Sequence, residues 1–403
     1  MRTSQFERLS ALDATRGIAM LLVCAAHFID VYYDTPLKEN WFLNYLLVVC
    51  KIATPSFVIV SGIVLGYLSK AKHEDLAHLR LHLLDRAILL ITAGHFLIAA
   101  SMATREDLVT ALSRGYVTDT LGFCLLGGLI VLRYAKAPST RLWLGLMIYL
   151  IAWVGWNEWH PDNPMLVTLR GIVLGPTEEH RSIFWFPLLP WFGVYLVGTS
   201  IGGWLGTFEK GRLSHAGKLL VGLSSLVLGS VFIANVMLFI LNVPRSAYLP
   251  FFSYSKFPPG PFYVLTFGSV ALLILGTLLL ASKALRTSAS LKLAECMGRH
   301  ALSLFITQSF LYYTALYLFF SHVDVTTFPV ALLLLIGSLL CVIWVSGVYE
   351  RFHINRLWTL RAIPLALRAV RSSDLSLPAS LVFQPLLHRA TGRSVPTVRV
   401  QKT

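Results

Sequence analysis

"RGIAMLLVCAAHFID", residues 16–30, decides how the whole chain of 403 residues is read. The stretch is apolar enough to enter a bilayer, yet it carries Arg16, His27 and Asp30. A helix turns about 100° and rises about 1.5 Å per residue, so Arg16 and His27 are about three turns apart. Their side chains lie within about 20° of one another around the axis and about 16 Å apart along it. Asp13, Asp30 and Asp34 fall on the same side, in a stripe about 100° wide. An ionised group at the centre of a spanning helix costs about 2.5–3.5 kcal/mol on insertion scales. A line of such groups must face protein or water, so this helix belongs to a bundle with a polar interior.

The rest of the chain agrees. It is 56% hydrophobic and only 13% charged, with a mean hydropathy of +0.67; soluble domains average about 25% charged residues. Apolar runs near the ~20 residues that span a bilayer recur along it. They predict ten helices, at about 14–33, 42–68, 86–101, 118–134, 141–156, 184–205, 218–241, 261–281, 300–320 and 328–348. The fold class is therefore all-α, a polytopic helical membrane protein with about ten transmembrane helices. The first run is read as a retained helix and not a cleaved signal, because it is long and a second membrane block follows at once. No internal repeat and no soluble domain is visible.

The net charge of +14 does not indicate nucleic acid, because the basic residues form no patch. With the N-terminus inside, 26 of the 34 lysines and arginines fall in cytoplasmic segments. That is the positive-inside pattern, and it puts both termini in the cytoplasm. Residues 1–350 read as the transmembrane domain. Residues 351–403 read as a basic cytoplasmic tail, first an amphipathic helix over anionic lipid, then disordered. The five cysteines (24, 50, 124, 296 and 341) lack metal-type spacing and read as small buried hydrophobes, so no metal is expected.

Candidate chemistry sits in the first three helices. His27 is the one group of the stripe whose ordinary pKa lies near neutrality, which suits proton transfer. Asp30, one turn on, could orient the imidazole or stabilise its cation. Lys51, inside the second helix near the depth of His27, could steady a reacting oxyanion or pair with Asp30; Asn44, Pro55 and Gly62 share its face. Pro55 also frees backbone groups that need partners. Arg16 and Arg86 stand at the cytoplasmic ends of their helices, and His95 reads as a structural histidine. Two long outer loops, about 157–183 and 242–260, are rich in aromatic and polar residues and fit either interfacial anchoring or a binding surface. The bland alternatives remain open: Arg16 as an interface anchor, His27 as a satisfied interior histidine, and the polar line as a transport path for a small polar solute or lipid-linked sugar.

Several segments resemble a known family. "LDATRGIAMLLVCAAHF" (12–28) is similar to the opening of the integral-membrane acyltransferases, namely the acyltransferase-3 family and the related bacterial proteins similar to heparan-α-glucosaminide N-acetyltransferase. "ATPSFVIVSGIVLGY" (53–67), "FPLLPWFGVYLVGTSIGGW" (186–204), "SKFPPGPFYVLTFGSVALLIL" (255–275) and "MGRHALSLFITQSFLYY" (297–313) resemble later motifs of the second group. The resemblance implies an enzyme that takes an acyl group, often acetyl, from cytoplasmic acyl-CoA as co-substrate. It passes the group to a hydroxyl or amine of a carbohydrate-type acceptor. On that pattern His27 is the catalytic histidine, Arg16 matches the pattern's arginine and Arg86 loosely matches a basic segment after the second helix. Joined to the helix geometry, this makes His27 the base, with Asp30 and Lys51 assisting it and Arg16 and Arg86 binding the CoA phosphates. Gln308 stands where many relatives carry histidine, and Lys38 stands where the heparan enzyme has its own. The implied setting is a bacterial inner membrane, with membrane lipids and a glycan or other small acceptor as partners and homo-oligomerisation left open. A former acyltransferase that now only binds a ligand is the third reading, beside the enzyme and the carrier.

Overall fold

The computed structural model describes residues 9–33, 37, 39–71, 76–176, 186–208, 212–243, 254–281, 284, 287–320 and 327–352. The expectations for the tail, for Asp34, and for parts of both long outer loops fall outside these residues.

The described residues are helical almost throughout. In chain order the helices are α1 (Ser10–Tyr32), α2 (Trp41–Cys50), α3 (Ala53–Ala71) and α4 (Leu76–Leu89). A π-helical turn (Leu90–Gly94) joins α4 to α5 (His95–Met102). Then come α6 (Leu108–Ser113), α7 (Val117–Tyr134), α8 (Pro138–Glu158), α9 (Pro164–Val173), α10 (Leu188–Leu205), α11 (Leu213–Ile240) and α12 (Pro261–Leu280). The last group is α13 (Ala289–Arg299), α14 (Ala301–Ser309), a second π turn (Phe310–Ala315), α15 (Leu316–Phe320) and α16 (Phe328–Phe352).

Among the described residues, nine helical runs are long and apolar enough to cross a membrane, which makes this an integral membrane protein. The fifth expected span, 141–156, is present as the 21-residue α8. Arg141 and three tryptophans make it less apolar than the others. It packs along α10, antiparallel to it. Arg141 lies against Gly203 near the end of α10, and Tyr149, two turns on, donates from its hydroxyl to the Pro259 carbonyl in the segment before α12.

Small residues set the packing. Apolar surface gains nothing by leaving lipid, so spanning helices associate where backbones can touch. In α3, "GIVLG" places Gly62 and Gly66 one turn apart; in α10, "GTSIG" places Gly198 and Gly202 likewise. A Cβ added at Gly66 would stand 2.0 Å from the Thr199 carbonyl oxygen, and one at Gly202 would stand 2.0 Å from that of Ile63. The pairs rise together along both chains, so α3 and α10 run parallel. The amphipathic α13 was not expected. It lies antiparallel on the first half of α1, with Gly17 against Ala294 and Gly298 against Asp13.

The second span is broken at Lys51–Ile52, between α2 and α3. Pro55 has no N–H to give to the carbonyl four residues back, which is that of Lys51. The Tyr263 hydroxyl of α12 donates to that carbonyl instead, at 3.0 Å. The partner that the proline required is thus a buried tyrosine from a distant part of the chain.

Candidate active site

A cavity of about 1040 Å³ runs through the bundle between α1, α3, the third span, α14 and the segment before α12. Its wall on α1 is the stripe expected from helix geometry: Asp13, Arg16, His27 and Asp30 all line it. Arg86 joins Arg16 at the end that the charge asymmetry assigns to the cytoplasm, and His82 and Arg299 are there too. The opposite end is lined by Arg105, Arg114, Tyr116 and Lys256.

Arg299 is already engaged. Its Nε and Nη2 donate to the two Glu350 carboxylate oxygens at 3.3 and 2.8 Å, and Nη1 donates to Glu295 at 2.7 Å. His300 Nε2 also lies 2.8 Å from Glu350. Cys296, His300 and Glu350 bring three ligand-type atoms within 4.8 Å, but this carboxylate is committed to an ion network with Arg299.

His27 is held from α14. Its Nδ1 lies 3.0 Å from the side-chain amide of Gln308, which is fully buried. Phe305 meets the imidazole edge-on at 6.0 Å between centroids, and Tyr313 tilts over it at 6.1 Å. Nε2 is therefore the ring nitrogen left toward the cavity. The orienting partner that helix spacing suggested was Asp30; the residue at Nδ1 is Gln308. Asp30 sits one turn further out on the cavity wall and interacts with Lys256.

Lys51 does not line the cavity, whose wall on the second span includes Cys50, Ala53, Thr54, Phe57, Ser61 and Val64. The face it shares with Pro55 and Gly62 packs on Tyr263 and α10 instead, because the Gly62–Gly66 contact needs that face. The lysine in the cavity is Lys256, from the "SKFPPG" segment. Its ammonium lies over the rings of Phe186 at 5.2 Å and Phe257 at 4.8 Å, and its charge is felt at both His27 and Asp30. Burial pushes Lys256 down to about 8, against the pull of Asp30. The segment is shaped by a cis Phe257–Pro258 bond and a bridge between Lys256 and Pro259.

His95 does not line the cavity. Its Nδ1 lies 2.9 Å from Asp119 and its Nε2 lies 3.1 Å from the Leu112 carbonyl. It ties α5 to α6 and α7, as the structural reading held. Arg114 pairs with Glu106, while the Arg105 guanidinium lies 5.7 and 5.3 Å over the rings of Tyr313 and Tyr317.

These features define a polytopic membrane protein whose internal cavity joins a cationic mouth to a buried histidine. The family model for the heparan-α-glucosaminide N-acetyltransferase catalytic domain matches residues 8–231, more than half of the chain. The chain belongs to this family and is a membrane enzyme of acetyltransferase type. The matched region contains Arg16, His27, Asp30, Lys51 and Arg86; Lys256 and Gln308 lie beyond it. Comparison with curated proteins gives no match.

Proposed function

We propose that the protein transfers an acyl group, acetyl in the simplest case, from cytoplasmic acyl-CoA to a hydroxyl or amine of a carbohydrate-type acceptor entering from the other side. The membrane is the bacterial inner membrane. One observation carries the reading: a single cavity is lined by Arg16 and Arg86 at one end and by His27, Asp30 and Lys256 toward the other. The guanidiniums suit CoA phosphates, which they bind by charge-assisted, bidentate hydrogen bonds. The ~16 Å between Arg16 and His27 suits the pantetheine arm, which brings the thioester inward.

At that depth His27 Nε2 takes the proton of the acceptor O–H or N–H. The freed lone pair attacks the thioester carbonyl, whose oxygen gains negative charge. The Lys256 ammonium stabilises that oxyanion. When the intermediate collapses, the C–S bond breaks and the sulfur leaves with the proton held by His27. Asp30 keeps Lys256 and the imidazolium electrostatically balanced. A carrier of polar solutes would need access alternating between two sides, and no pair of related halves supports that.

The test is acyl transfer by the purified protein from radiolabelled acetyl-CoA to a panel of amino sugars and glycosides. Arg16→Ala is expected to raise KM for acetyl-CoA about 10- to 100-fold with kcat nearly unchanged, the loss of a charge-assisted contact worth about 1.5–3 kcal/mol. A wild type that binds no CoA by calorimetry removes the proposal. Lys256 adds a pH test. Its folded pKa of about 8 means that the ammonium is present below that pH and lost above it. Activity should therefore fall above about pH 8, and Lys256→Arg should carry this alkaline limb to higher pH.

A further inference from the structure

We infer that Gln308 is the positioning residue for His27, its side-chain carbonyl accepting the Nδ1 proton so that Nε2 faces the cavity unprotonated. The inference rests on the proposed role of His27 as base. The geometry is direct: Gln308 is wholly buried, reaches across from α14, and places an amide atom 3.0 Å from Nδ1. An amide has two ends of nearly equal shape, and which end points at the ring is decided by hydrogen bonding. With the NH2 toward Nδ1, the ring proton is forced onto Nε2, and His27 can then only donate into the cavity. In that orientation Gln308 Oε1 is buried without a hydrogen-bond partner among the described residues.

Turning the amide about its last bond reverses the proton's place on the ring and gives Oε1 partners, and the NH2 then stands where Oε1 stood. Oε1 accepts the Nδ1 proton, and the Ser309 hydroxyl, 3.3 Å from the same amide atom, is a second donor within reach. That hydroxyl otherwise donates to the Phe305 carbonyl at 2.9 Å. Nε2 then has a free lone pair, the only state in which an imidazole removes a proton from an acceptor. Phe305 and Tyr313 restrict the ring, so its tautomer and its direction are set together. A neutral amide fits this task, because it directs the proton without fixing a positive charge on the ring.

The two orientations make opposite predictions for one substitution. Glutamate can accept at Nδ1 when ionised but cannot donate, whereas leucine fills the space and does neither. Gln308→Glu is expected to keep kcat within about tenfold at its own optimum, with the acid limb moved to higher pH because the carboxylate favours the imidazolium. Gln308→Leu is expected to lose about 10²-fold in kcat, the lower end of what a positioned base contributes, with KM for acetyl-CoA little changed. Melting temperature and acetyl-CoA binding serve as the check on folding. Nitrogen-15 spectra of histidine-labelled protein, with His27 assigned from a His27→Ala sample, read the tautomer directly and need no turnover. A proton on Nδ1 above the titration supports the inference; a proton on Nε2 overturns it. So does a folded Gln308→Glu variant as impaired as Gln308→Leu, or a fully active Gln308→Leu. If His27→Ala retains activity, the base assignment itself falls, a result distinct from the failure of Gln308 alone.

Discussion

His27→Ala will cut acyl transfer severely while leaving acetyl-CoA binding within a few-fold of wild type. The expected drop in kcat is about 10²–10⁴-fold, the usual contribution of a positioned general base. The separation of the two effects follows from helix geometry. The guanidiniums that would hold CoA lie about 16 Å away along α1, and the imidazole touches Gln308, Phe305 and Tyr313, not them. Removing a side chain that acts only as the proton moves should lower kcat and kcat/KM together. Rapid-quench turnover with labelled acetyl-CoA checks this. The same experiment reports whether label accumulates on the protein, which would make His27 a nucleophile and not a base. A His27→Ala protein that turns over at the wild-type rate would move the chemistry elsewhere in the cavity.

Gly66→Leu is expected to prevent folding altogether. Even the first carbon of a side chain would stand 2.0 Å from the Thr199 carbonyl oxygen, a backbone atom that cannot swing aside. Overpacking a protein interior typically costs about 1–3 kcal/mol when side chains can adjust. Here α3 and α10 would have to separate, and α3 forms one wall of the cavity on another of its faces. The control is Gly222→Ala in α11, where nothing lies within 4 Å of the new carbon. That change should be neutral or mildly stabilising, by about 0.5–1 kcal/mol, since alanine loses less backbone freedom in a helix. Yield of monodisperse protein in detergent and its melting temperature distinguish the two. A well-folded Gly66→Leu variant would show that the helices can pack another way.

The contrast between Lys51 and Lys256 marks what was legible in the sequence. Distance along a helix follows from rise per residue, so the spacing of Arg16 and His27 along α1 could be read from their positions. The direction a side chain faces depends on which neighbour takes which side of the helix. For α1 the polar stripe settled that question by itself, because lipid excludes it. For the second span a single lysine did not, and the glycines that decide the matter act through α10, more than 130 residues away. Lys256 carried the opposite difficulty: it lies in a polar loop, where a lysine reads as solvated, and only the chain path folds it inward. Its flanking Phe257, Pro258 and Pro259 were the available signal. Gln308 reads as an ordinary polar residue in a helix until its partner, 281 positions earlier, is known. The nine long apolar runs among the described residues were legible for a simpler reason, since length and apolarity are local properties; α13, which is too polar to resemble a span, was not.

The wide turn at Phe310–Ala315 has a consequence for how relatives of this chain are compared. A π turn contains one residue more than the α turn it replaces, so it records an insertion in an otherwise regular helix. Its loosened carbonyls are put to use: that of Tyr312 accepts from the Tyr32 hydroxyl, and that of Tyr313 accepts from the Thr104 hydroxyl. A homologue shorter by one residue here closes the wide turn to an ordinary one and keeps its later helix in place, with the numbering offset by one residue, about 100° of helix. Residues aligned without a gap would then occupy different sides of the helix, whatever their identity. Segment length between Gln308 and Leu316, more than the letters within it, tells whether a related chain builds the same wall behind its histidine.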